Sequence, residues 1–307
     1  MTMSACRKFI TLALFVAVLN SWGAGQRSLK VVTSIFPLMD FVRQVAGDRA
    51  QVTLLLPPGA DVHTWQPRPG DMLVLSRADL FIICGANLEP WAHDLIKNLG
   101  NSGVKVLEAG AGLASRKEDS GQEAGRAHGA ADPHVWLDLG LDEVIVRRIA
   151  ERLSALDPQG KDIYGRRADS YIEKLRALDG EFRRTLSGCR GRTFVLGGHA
   201  AFGYLASRYG LRQVSLYGLS PDAEPAPRQV VQIVELMKKE GLSTVFYEEN
   251  QSRKMSEILA RETKARLLPL NAAHNLAPNQ LGSGLSFLDI MRKNLESLSQ
   301  GVGCDKK

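Results

Sequence analysis

Lys30-Val31-Val32-Thr33-Ser34, then Phe36-Pro37-Leu38-Met39-Asp40-Phe41-Val42-Arg43-Gln44-Val45-Ala46, then Gln51-Val52-Thr53-Leu54-Leu55-Leu56: this stretch sets the plan of the chain. The outer runs are short, apolar and partly β-branched, as buried strands require. The middle run spaces its apolar residues as a helix does and stops at a glycine, Gly47. Strand, helix and strand in so short a span form the repeating unit of a parallel sheet.

Working outward, residues 80–84 and 104–108 read as further strands, and residues 69–77 and 89–99 as helices. Residues 109–131 break the alternation. They are rich in Gly, Ala and mixed charge without an apolar period, and read as a flexible loop. A helix over 142–156 follows, then a long charged segment, 162–186, whose Ile163, Tyr171, Leu175 and Leu178 keep helical spacing. At 1.5 Å per residue it would reach about 40 Å, the length of two domains. Beyond Gly188 the alternation restarts, with strands at 193–196, 213–216, 244–247 and 265–269 and helices at 200–209, 228–240, 255–263 and 285–298. The expected fold is α/β, two lobes with parallel sheets joined by one long helix: 26–157, a linker over 158–187, and 188–307.

The 307 residues suffice for two such domains. Arg7 and Lys8 precede an uncharged apolar run, 9–19, and Gly23-Ala24-Gly25 follow, the layout of a signal peptide over 1–25 cleaved near Gly25. The run is too short to span a bilayer, so the mature chain is expected as an exported, periplasmic, soluble protein. The cysteine of this leader, Cys6, lies ahead of the apolar run, where a lipid anchor would not use it; a leader retained as a tether stays open. Losing Arg7 and Lys8 lowers the formal charge from +6 to +4. The remaining charges are interleaved, as on solvated helices, and argue against nucleic-acid binding. No cysteine pair has C-x-x-C spacing, which speaks against a cysteine-based zinc module. Cys84 closes an apolar run and reads as a buried small hydrophobe. Cys189 and Cys304, both in the second half, are the candidate disulfide of an oxidising compartment.

Ligands of open parallel sheets bind beyond the carboxyl ends of the strands. Four of the six histidines follow expected strands: His63, His134, His199 and His274, two in each lobe. A loop histidine on its own is more often a surface residue; the shared position of these four is what marks them. His93 lacks it, being inside a helix, and His128 sits in the loop, where it could at most help recruit metal. Four imidazoles converging from two lobes suit zinc, and a site closed by four protein ligands favours binding over catalysis. H-E-x-x-H, H-x-H and G-x-S-x-G are absent, and Gly110-Ala111-Gly112 lacks the third glycine of a dinucleotide fingerprint.

Four segments resemble the metal-specific solute-binding proteins of bacterial ABC importers, the zinc branch in particular. They are Pro57-Pro58-Gly59-Ala60-Asp61-Val62-His63 running on to Pro67, Asp132-Pro133-His134-Val135-Trp136-Leu137-Asp138, Gly197-Gly198-His199-Ala200-Ala201-Phe202 and Gly218-Leu219-Ser220-Pro221-Asp222-Ala223-Glu224-Pro225. The resemblance covers nearly all of the mature chain. It implies two Rossmann-like lobes bridged by a rigid helix, metal ligation by His63, His134 and His199, and a membrane permease as partner. Manganese relatives carry a carboxylate at the third position, so three histidines point to zinc, as does the preference of manganese for oxygen. The sequence departs from the family at His274-Asn275-Leu276-Ala277, where relatives often place an aspartate; His274 would then be the fourth ligand. It departs again in the loop before His134, which carries only His128 where many relatives have histidine runs.

The expected function is capture of Zn2+ as a transported ligand by a monomeric, non-enzymatic protein and its delivery to an ABC permease. Asp138, four residues past His134, is expected either to orient that ring or to cap the next helix. The alternatives are a manganese or iron protein of the same type, a secreted adhesin with incidental histidines, and a secreted zinc hydrolase. The hydrolase would need an open coordination position and a general base such as Glu224, Glu248 or Glu249.

Overall fold

The computed structural model describes residues 27–100, 102–116, 131–220, 225–280 and 282–304. The expected leader, His128, Glu224 and part of the 218–225 motif lie outside these residues.

Each half holds a four-stranded parallel sheet. In the first, β1 (Leu29–Thr33) lies between β2 (Ala50–Leu54) and β3 (Leu80–Ile83), and β4 (Lys105–Glu108) pairs on the far side of β3. In the second, β5 (Thr193–Leu196) lies between β6 (Arg212–Ser215) and β7 (Thr244–Glu248), with β8 (Arg266–Leu270) beyond β7. The strand order is the same in both. Every pairing is parallel, for example Val31 with Val52 and Val195 with Val245. The central β3, Leu80-Phe81-Ile82-Ile83, is buried throughout, as a strand covered on both faces must be.

The covering helices are α1 (Phe36–Ala46), α2 (Pro69–Ser76), α3 (Ala92–Leu99) and α4 (Leu139–Leu156) around the first sheet. Next come α5 (Lys161–Ser187), then α6 (Gly203–Arg208), α7 (Pro227–Glu240), α8 (Lys254–Thr263) and α9 (Phe287–Gly301). The 27-residue α5 buries Tyr164, Ala168, Tyr171, Ile172, Leu175, Leu178, Phe182 and Leu186, one apolar stripe at helical spacing. It packs on α4 and α1 of the first half and on α9 of the second.

Helix α5 is therefore part of a helical layer that includes elements of both halves. Asp40 on α1 accepts bonds from the Tyr171 hydroxyl at 3.2 Å and from the Phe287 backbone N–H, at the start of α9, at 3.1 Å. Phe41 meets Phe287 edge-on at 5.1 Å. One hydrophobic cluster runs through α1, α4, α5 and α9, and a smaller one, with Val195, Ile233, Met237 and Leu259, lies under α7 and α8. A disulfide joins Cys189, after α5, to Cys304, after α9. Cys84 is a buried free thiol. No helix among the described residues is long and apolar enough to cross a membrane.

The sequence places α1 and β5 correctly to the residue. It starts α3 too early, because Glu89 is not helical but turns inward, accepting bonds from the Ser34 hydroxyl and from the Cys84 and Gly85 backbone N–H groups. These bonds tie the ends of β1 and β3 together.

Candidate metal centre

Three histidines meet between the two sheets. His63 stands in the loop from β2 to α2, His134 before the short helical turn Val135–Leu137 that leads into α4, and His199 just after β5. One ring nitrogen from each lies within 4.8 Å of the other two. His134 and His199 are fully buried and His63 is half-buried.

The orientation of two rings is set by carboxylates. His134 Nδ1 is 2.8 Å from Asp132 Oδ1, and His199 Nδ1 is 2.6 Å from Glu248 Oε2. A carboxylate accepts, so it keeps the ring proton on Nδ1 and leaves the Nε2 lone pair unprotonated. Those two Nε2 atoms lie 3.3 Å apart. Two lone pairs facing each other repel, so the contact requires a cation between the rings, a metal ion or a proton that His199 carries. Two nitrogens at the zinc distance of 2.0–2.1 Å with a tetrahedral angle would be separated by about 3.3 Å.

Electrostatics keep the site ready for a cation. Burial, reinforced by the neighbouring imidazoles, pushes His63 and His134 below the ordinary histidine range, so both are neutral at physiological pH. Burial also works to lower His199, but the Glu248 carboxylate outweighs it and the net shift is upward. Asp132 is raised by burial to about 6, against the pull of the His134 backbone N–H and Arg116.

Local sequence explains the placement. Asp132 folds back over Pro133 to accept from both the backbone N–H (3.0 Å) and the ring of His134. A Cβ on Gly203 would come within 2.7 Å of Asp132 Oδ2, so glycine makes room for that carboxylate. Gly197 packs against Ser256, and a Cβ on Gly198 would lie 3.1 Å from Glu248 Oε2. The Gly197-Gly198-His199 turn is thus as tight as its neighbours allow. The His63 loop is held by Trp91, whose Nε1 donates to the Val62 carbonyl at 2.9 Å, and from within by Asp61, whose Oδ1 accepts from the His63 backbone N–H at 2.9 Å.

His274 is buried, with its ring centre 6.1 Å from that of His199, and it does not join the three-nitrogen group. Its Nδ1, His63 Nε2 and Glu248 Oε1 are buried without a hydrogen-bond partner. Burial lowers its pKa. The His274 backbone carbonyl accepts from the Phe36 N–H, and Trp136 Nε1 donates to the Ala272 carbonyl at 2.7 Å, so this loop bridges the halves. His93 is exposed on α3 and is not in the three-nitrogen group.

Asp138 does not orient His134. It caps α4, accepting from the Gly140 and Leu141 N–H groups, and pairs with Arg208 at 2.7 Å. That is the capping outcome of the two expected for it. The carboxylates that orient the rings, Asp132 and Glu248, were not singled out for that role. The available signals were the Asp-Pro-His spacing and the position of Glu248 at a strand end. Glu249, the other described base of the hydrolase alternative, accepts from Asn271 Nδ2.

Residues 31–301 match the family described as ZnuA, zinc-uptake complex component A, periplasmic. The chain belongs to this family. The family consists of solute-binding components of zinc transport, not enzymes. The chain is 33% identical to the high-affinity zinc uptake system protein ZnuA of Bacillus subtilis, over 89% of this chain and 88% of that one. To the zinc-binding lipoprotein AdcA of Streptococcus pneumoniae it is 34% identical over 94% of this chain, but spans only 58% of AdcA. Among solved structures, the Zn(II)-bound ZnuA-like domain of that AdcA superposes with a TM-score of 0.75 at 34% identity, covering 90% of this chain and 99% of the domain. The laminin-binding protein Lmb of Streptococcus agalactiae, described as a bifunctional protein with adhesin and metal transporting activity, gives 0.80 at 32% identity, covering 90% and 100%. These ZnuA-type neighbours share the two-lobed α/β fold.

Proposed function

We propose that this chain captures Zn2+ between its two lobes outside the cytoplasm and delivers it to the permease of an ABC importer. The observation that carries the reading is the pair of Nε2 atoms of His134 and His199, 3.3 Å apart with a carboxylate behind each ring and His63 alongside. Three imidazoles, His199 giving up any proton it carries as metal enters, supply the nitrogen donors that zinc takes and manganese favours less. Asp132 and Glu248 offset the charge of the incoming dication without occupying its coordination sphere. Zinc-binding relatives and a family of zinc-uptake components support the same cargo.

The ligands in this reading are His63, His134 and His199, with His274 as the fourth. His274 is proposed because its buried Nδ1 has no other partner. The lobes run over 26–157 and 188–307, with 158–187 as the linker. The working unit is a monomer, since one chain supplies all four imidazoles. Export, with removal of residues 1–25, rests on the leader-like sequence and on the periplasmic or lipoprotein relatives.

Thermal denaturation of the metal-free protein with added zinc or manganese tests this. A ligand at about 100 times its Kd stabilises the folded state by about 2.7 kcal/mol. A large zinc shift with a much smaller manganese shift is expected; equal shifts or none would contradict the reading.

A further inference from the structure

Asp61 stands at the seam between the lobes. One carboxylate oxygen accepts from the backbone N–H of His63 at 2.9 Å; the other accepts from Gln251 Nε2, in the opposite half, at 2.8 Å. Gln251 closes the turn that follows β7: its N–H donates to the carbonyl of Glu248, whose side chain holds the His199 ring, and Asn250 in the same turn takes a left-handed φ of 70°. The contacts run from His63 through Asp61 and Gln251 to Glu248 and His199, joining one histidine of each lobe.

We propose that Gln251 is a positioning residue that latches the His63 loop to the second lobe and so sets how long the metal stays bound. The proposal rests on the zinc-capture reading. A metal held by nitrogens from both lobes leaves only when the loop and the second lobe part, and the Gln251–Asp61 bond is broken in that step. Asn275, whose Nδ2 donates to the Pro57 and Ala60 carbonyls, holds the start of the same loop. The latch acts at its His63 end. Gln251 is half-buried in a turn, touches no imidazole in any hydrogen bond, and can be altered without opening the core.

The test is stopped-flow release of zinc to a chelator from the full chain, alongside zinc stoichiometry and the melting temperature of the metal-free protein. A hydrogen bond to a charged group corresponds to roughly ten-fold or more in an equilibrium constant. Gln251→Leu, which removes the donor, and Gln251→Glu, which sets a second carboxylate against Asp61, are expected to speed zinc release about ten-fold. Stoichiometry should not change, and the metal-free protein should still unfold cooperatively, melting slightly lower. Gln251→Lys restores a donor that reaches Asp61 and should return the rate toward wild type. Unchanged release in both Gln251→Leu and Gln251→Glu, or no rescue by Gln251→Lys, overturns the latch while leaving zinc capture standing. Failure of the unaltered protein to bind zinc would instead overturn the reading beneath it.

Discussion

The loop that carries His63 and the turn that carries His199 reach the same point by opposite means. His199 is fully buried, its backbone follows two glycines packed against Ser256 and Glu248, and its ring is held by a carboxylate of its own lobe. His63 is half-buried, its Nε2 has no partner, and its loop is fastened partly by the other lobe, through Gln251 and Asn275. The second lobe thus presents a pre-set ligand, and the first supplies one whose position depends on closure. Affinity should be most sensitive to the pre-set side, and kinetics to the closing side.

The largest effect expected is from His199→Ala, which removes a ligand and leaves Glu248 buried without its partner; stoichiometric zinc binding should be lost by equilibrium dialysis. Next is Glu248→Gln, which keeps the shape but no longer fixes the ring tautomer as a carboxylate does. An outer partner of a metal-binding histidine is worth about 10–100-fold in affinity, and competition with a chelator of known strength reads it. If His63→Ala proves more damaging than His199→Ala, the contrast between the two sides is broken.

Stability should divide along the same seam. The Cys189–Cys304 bridge closes a 115-residue separation around the second lobe. Cys304→Ser should lower unfolding free energy by about 2–5 kcal/mol in denaturant titrations, with zinc affinity unchanged. Asp179 on α5 accepts from Arg208 Nε at 2.6 Å and the Tyr209 hydroxyl at 2.8 Å, fastening α6, which follows His199. Burial works to raise its carboxyl, but Arg208, Tyr209 and Arg183 together hold it down to about 2. A depressed carboxylate stabilises above the unfolded value of about 3.9, and that stabilisation is lost as pH falls from there through about 2. Asp179→Asn should therefore cost about 1–2 kcal/mol at pH 7 and almost nothing at pH 2. The smallest effect is from His93→Ala on exposed α3, which should leave zinc affinity unchanged and serves as the control for the four proposed ligands.

Periodicity made the sheets and helices legible because each lobe repeats short apolar strands and amphipathic helices. Helix α1 is readable from Phe36 to Gly47 without help from the rest of the chain. The candidate site was legible as four histidines at strand ends, a statement about topology that needs no distances. What the sequence did not reveal is long-range. Glu248 meets His199 across two strands, and Gln251 meets Asp61 across 190 positions. Neither leaves a periodic trace. Asp138 shows the reverse problem: its spacing from His134 allowed two roles, and only packing against Arg208 and the α4 N–H groups separates them. His274 is inside the core, as a ligand must be, yet its ring sits farther from the others than strand-end position alone would suggest.

The measurement that tests the central claim most directly is zinc content per chain, by elemental analysis after exhaustive dialysis. It should compare the unaltered protein with a His63→Ala, His134→Ala, His199→Ala triple variant shown by circular dichroism to be folded. One zinc ion per unaltered chain and none in the variant is the expected result; a variant that retains its zinc would place the metal elsewhere and contradict the account.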